Sequence, residues 1–122
     1  MASTERKQLL SGAQAADNTG TTAQTLSPRS KNLIAEIVWS AKHANISAFD
    51  AKIQHSADGT TWHDLVAFTQ ITTTAGAELK YLSSPGQSFL EKVRAVTDQT
   101  GGNGTTETIV VAINVYVENI GS

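Results

Sequence analysis

Cysteine is absent from this sequence. A disulfide framework, a thiol nucleophile and a thiolate metal site are excluded together, while the redox character of the compartment stays open. Aromatic residues number seven in 122, too few to fill a core and also build a broad platform for a flat ligand. Lys and Arg are not gathered into the basic, aromatic-studded face that nucleic acid binding normally requires, so no nucleic acid partner is expected. No stretch reaches the roughly 20 apolar residues of a membrane span, and the opening MASTERKQLLSG is polar where a secretory signal carries an apolar run of about 7–15 residues. The expectation is therefore no membrane partner and a cytosolic location at synthesis.

What is present is globular material. Hydrophobic residues make up 39% of the chain before its nine glycines are added, and a chain of this length buries about two thirds of its unfolded surface in one domain. The formal net charge of −2 is uneven: Arg6, Lys7, Arg29 and Lys31 outnumber Glu5 and Asp17 up to residue 31, and acidic residues dominate afterwards. Up to Gly20, Leu9 and Leu10 are the large apolar residues after the initiator, with no aromatic beside them. Residues 1–20 are therefore expected to form an extended N-terminal arm in front of a domain spanning 21–122. A short helix over Thr4–Leu10 fits the local propensities of Glu, Arg, Lys, Gln and Leu, with Gly12 to end it, though such a helix is marginal alone.

After Pro28 the hydrophobic period becomes two. In LIAEIVWS, Leu33, Ala35, Ile37 and Trp39 share one face, opposite the mixed Ile34, Glu36, Val38 and Ser40. In FDAKIQHS, Phe49, Ala51, Ile53 and His55 do the same. FLEKVRAVT alternates less cleanly and runs into the turn-rich DQTGGNGTTE. TIVVAINVYVEN then sets an aliphatic row, Ile109 to Val117 by twos, against a semi-polar row of Val110, Ala112, Asn114 and Tyr116, which marks a central strand whose second face is partly covered and a candidate subunit contact. Further strands are expected near Thr21–Leu26, Trp62–Phe68 and Gln70–Thr74 or Lys80–Leu82, divided by TTAG and SSPG. The fold class is all-β: an antiparallel two-sheet sandwich, jelly-roll-like, with an immunoglobulin-like strand order as the alternative.

The segment IQHSADGTTWHDL holds the residue types most suggestive of chemistry. Asp58-Gly59 is a strong hairpin signal, because glycine takes positive φ freely and aspartate caps the bend. A two-residue loop pairs His55 with Trp62; longer loops shift that register. An enzyme would use His55 or His63 as general base with Asp58 or Asp64 to orient it. No nucleophile elbow surrounds Ser56, and no third metal ligand follows the two histidines. A calcium reading of Asp98, Asn103 and Glu107 lacks the alternating carboxylates of a dedicated loop. Ser56, Asp58, Gly59 and Trp62 are thus read as hairpin residues, with no catalytic residue, metal or cofactor expected.

The run Gln54, Ser56, Asp58, Gly59, Thr61, Trp62 and Leu65 resembles a Q-x-S-x-D-G-x-x-W-x-x-L pattern that recurs in small β-sandwich proteins of tailed bacteriophages. KVRAVTDQTGG and the last aliphatic strand look like the second half of those proteins, so the resemblance covers roughly Asn32 to Asn119. It implies a structural virion protein, a capsid decoration or cement protein, which binds the major capsid protein on the outer capsid surface after synthesis in the host cytoplasm. It implies homotrimers with the arm ordering on contact. Arg6, Leu9, Leu10, Val110, Ala112 and Tyr116 are the candidate subunit or capsid contacts. Tail or head-fibre placement uses the same fold. The same turn is similar to one in discoidin-type carbohydrate-binding sandwiches, usually longer and often joined at their ends by cysteines, which makes a carbohydrate-binding module the alternative function.

Overall fold

A computed structural model describes residues 2–26, 30–82 and 90–120. Eight strands lie among them: β1 (Ala2–Gln14), β2 (Gln24–Thr25), β3 (Ser30–Ser40), β4 (Ile46–Ser56), β5 (His63–Ala67), β6 (Gly76–Leu82), β7 (Lys92–Gly101) and β8 (Ile109–Ile120). They form two four-stranded sheets, sheet A in the order β1-β8-β3-β6 and sheet B in the order β2-β7-β4-β5. First pairs with last, second with seventh, third with sixth and fourth with fifth, each antiparallel. That nesting is the jelly roll, two Greek keys wound from one long folded hairpin. It settles the topology against an immunoglobulin-like order.

The period-two runs supply the core. Leu33, Ala35 and Ile37 of β3 and the odd-numbered row of β8 face Phe49, Ala51 and Ile53 of β4 and Val93 and Ala95 of β7, all at most 5% exposed. This is one apolar layer between two sheets, about 10 Å thick in sandwiches of this kind. Ile71 joins it by a single bridge to Phe49, and the strand expected near Gln70–Thr74 or Lys80–Leu82 is β6. The SSPG breaker, Pro28 and Phe89 lie outside the described residues.

The leader differs from expectation. Instead of a helix over Thr4–Leu10, Ala2–Gln14 is a strand pairing with nearly the whole of β8. A register shift between Gln8 and Leu10 lets two consecutive leucines face inward, Leu9 buried and Leu10 partly so. Helix propensity lost to an available sheet edge and a place in the core. Residues beyond β1 then cross to sheet B, where Asn18 exchanges backbone hydrogen bonds with Thr97 and the Thr21 amide bonds to the Ala95 carbonyl. The extended leader is thus built into the sandwich and bridges its two sheets.

Candidate functional site

The loop after β4 is organised by Ser56, fully buried beneath it. Its Oγ accepts from the amides of Asp58 (3.2 Å) and Gly59 (2.9 Å) and donates to Asp58 Oδ1 (3.0 Å). Asp58 Oδ1 also accepts from the amides of Thr60 (2.8 Å) and Thr61 (2.9 Å). Those amides, Thr61 first, and then the Ser56 hydroxyl hold the Asp58 carboxyl down to about 2. Gly59 has φ +79°, the left-handed conformation this turn requires. Ser56 and Asp58 therefore spend their polar atoms closing the loop.

The loop is longer than two residues, and this corrects the expected register: His55 pairs with His63 rather than with Trp62. The two imidazoles meet edge-on with centroids 6.5 Å apart. His55 Nδ1 accepts from the Leu90 amide at 3.0 Å, and burial, followed by the charge of His63, lowers its pKa. Trp62 turns instead to the outer face of sheet B, where the Arg94 guanidinium sits 4.4 Å from its ring centroid. Arg94 Nε donates to Gln54 Oε1 (2.9 Å), Gln54 Nε2 to Asp64 Oδ1 (3.0 Å), and Lys52 Nζ to Asp64 Oδ2 (3.2 Å). Asp64, the carboxylate proposed to orient a histidine, is occupied by Gln54 and Lys52.

Asp98, Asn103 and Glu107 do not converge. Asn103 Oδ1 accepts from the amides of Thr105, Thr106 and Glu107. Glu107 meets Asn45 and lies 3.6 Å from His43. Asp98 stands on sheet B beside Asp17 and Asp50, and their charges, Asp17 foremost, raise its pKa. Among the described residues no group of three His, Cys, Asp or Glu is placed to hold a metal.

Of the candidate contacts, Leu9 and Leu10 belong to the core, because the bulge turns both inward. Arg6, Val110, Ala112 and Tyr116 share the outer face of sheet A. The registers set Arg6, Tyr116, Ile34 and Tyr81 side by side in one row, and the next row holds Asn114, Glu36 and Leu79. Tyr81 is 59% exposed, Leu79 47%, Val38 41% and Val110 41%. At the centre, Glu36 Oε1 accepts from Tyr116 Oη (3.0 Å) and Asn114 Nδ2 (3.2 Å), which raises the tyrosine's pKa. Asn114 is 5% exposed, and among the described residues its Oδ1 has no partner. Where β3 slips register between Lys31 and Ile34, with Asn32 at φ +54°, a recess of about 240 Å³ opens between Tyr81 and Tyr116. Sequence reading found the β8 half of this face and missed Val38, Leu79 and Tyr81. Their signal was present in the apolar second row of β3 and in the alternation of GAELKYL.

No protein-family model matches the chain, and no curated protein matches it. Solved structures do. A chain of the infectious bursal disease virus Gx strain structure matches with TM-score 0.51 and 15% identity over 99% of this chain, which spans 33% of that one. Dimeric latent PorU from Porphyromonas gingivalis matches at TM-score 0.47 and 14% identity over 97% of this chain and 13% of that one. The C-terminal CBM6 of LamC from Zobellia galactanivorans matches at 0.41 and 9%, covering 93% and 98% of the two chains. At these identities the likeness is one of fold.

Proposed function

We propose that this chain is a structural protein of a virus particle that decorates a bacteriophage capsid from outside, bound to the major capsid protein, and that it works by contact and carries out no reaction. The observation that carries this reading is the outer face of sheet A, where four large apolar side chains stand between 41% and 59% exposed on one side of one sheet. Apolar area gathered in this way marks a surface completed by another protein. The jelly roll supports the reading as an architecture used for shell proteins, and so does the fold shared with a chain of a virus structure. Fold alone is an analogy, since one architecture hosts many functions.

The test mixes the purified chain with undecorated capsids and, in parallel, with a glycan panel. Saturable capsid binding and a blank panel are expected, because the Trp62 ring that a sugar would stack on is already faced by Arg94. Glycan binding lost on Trp62→Ala, with no capsid binding, replaces this reading with a carbohydrate-binding module.

A further inference from the structure

We infer that the outer face of sheet A is where a second copy of this chain docks, around a twofold axis, so that the protein is a dimer. This rests on reading that face as a protein contact and names its occupant.

The edges of sheet A are closed to strand addition. On β6, Glu78 and Lys80 stand opposite Ile37 and Ala35 and so point to the inner side; on β1, Glu5 and Lys7 stand opposite Val117 and Val115 and do the same. Inward-pointing charge on an edge strand penalises another strand that tries to extend the sheet. Each edge carries an acid and, two residues on, a base. Within sheet A, association is thereby directed away from the edges and onto the face.

Symmetry then follows from where the apolar surface is. A ring of three subunits needs two different complementary patches on each copy, whereas a twofold contact needs one patch that fits itself. Among the described residues, four of the five exposed large hydrophobic side chains, Val38, Leu79, Tyr81 and Val110, lie on this face, and the fifth, Leu90, stands alone elsewhere. There is one patch. Four strands about 4.8 Å apart, carrying four outward rows about 6.8 Å apart, span roughly 500 Å² in plan. Side-chain relief brings that toward the roughly 800 Å² each partner gives to a standard interface.

Charge is compatible with self-contact. The charged side chains in these four rows are Arg6 and Glu36, one of each sign. An axis lying across the strands at the level of Val38 and Ala112 sets Glu36 of each copy over Ser40 of the other, and so separates the two carboxylates. It also sets Val38 against its own counterpart.

Light scattering at about 50 µM, where a micromolar Kd leaves mostly dimer, should give twice the 12.9 kDa chain mass. Leu79→Asp and Val110→Asp should each halve that mass with an unchanged circular dichroism spectrum. Because the chain has no cysteine, Val38→Cys provides a second readout that needs no disruptive change. A short bis-maleimide should join its two copies, and Lys52→Cys, on sheet B, should stay unjoined. A wild-type mass of one or three chains overturns the inference, as does cross-linking at position 52 in place of 38. Capsid binding by a monomer defeats the dimer alone, and a dimer that ignores capsids defeats the proposed function alone.

Discussion

The two outer faces of this sandwich are built on the same pleat over the same core, yet they are chemically opposite. On sheet B, Arg94, Gln54, Asp64 and Lys52 are linked in a chain of hydrogen bonds, and the Trp62 ring is covered by a guanidinium. On sheet A the corresponding surface is Val38, Leu79, Tyr81 and Val110 around the hydrogen-bonded carboxylate of Glu36. An antiparallel sheet needs one dry face to fold, and the core satisfies that need for both sheets. The apolar character of the second face of sheet A is therefore not demanded by folding. The proposed contact would account for it.

If the two sheets share one core, truncations beneath the two faces should weigh alike. Ile113→Ala beneath the A face and Ile53→Ala beneath the B face, both 0% exposed, should each cost about 2–5 kcal/mol in urea unfolding. A large loss at one and a small loss at the other would mean that the sheets are unequal inside as well as outside. Next in size is the loop at the end of sheet B. Ser56→Ala takes the acceptor from the part-buried hydrogen bonds of the Asp58 and Gly59 amides and, at about 0.5–1.5 kcal/mol for each, should cost about 1–3 kcal/mol by thermal unfolding.

Smaller still is the contrast between the faces themselves. Arg94→Ala removes a cation–π contact worth about 0.5–1 kcal/mol at an exposed site. Leu79→Ser, measured at dilution where the chain is single, should change stability by no more than about 0.5 kcal/mol. If Leu79→Ser were the more costly in the single chain, the A face would be serving the fold rather than a partner.

The smallest expected effect is a pH dependence on sheet B. The folded pKa of His55 lies below its ordinary value of 6.5, so the unfolded chain binds the proton more readily. Stability should be fully present above 6.5 and fall as pH drops through that value toward the folded pKa. Protonation at Nδ1 also removes the acceptor of the Leu90 amide. His55→Gln should flatten this slope in thermal unfolding measured from pH 7.5 to 5.5, and an unchanged slope would assign it to another group.

The inner faces were legible because a buried strand face is a period-two row, and Leu33, Ala35, Ile37 and the odd row of β8 show it without ambiguity. The Ser56–Asp58–Gly59 loop was legible for a local reason, since its hydrogen bonds span two or three residues. Its register was not, because the slip between Ile53 and Gln54 and the loop's extra length leave no mark on composition. Nor was the leader. Its residues favour a helix locally, and the β8 edge that overrides them lies about a hundred positions away. Trp62 meeting Arg94 and Tyr81 joining the row of Tyr116 belong to the same class: both require knowing which strands are neighbours.

The position of β8 bears on how the molecule is made. It lies between β1 and β3 in sheet A and is the last strand in chain order, while β4, β5 and β7, three neighbours of sheet B, are complete by residue 101. Sheet B can condense from contacts of moderate sequence separation. Sheet A must wait for β8 to pair with β1, about a hundred positions away, the kind of long loop closure that slows folding. Until β8 arrives, Leu9 and Leu10 of β1 and the apolar row of β3 are open to solvent. The sheet that carries the exposed face is thus also the one with the longest loop to close, and a chain with that closure pending shows apolar surface that favours aggregation.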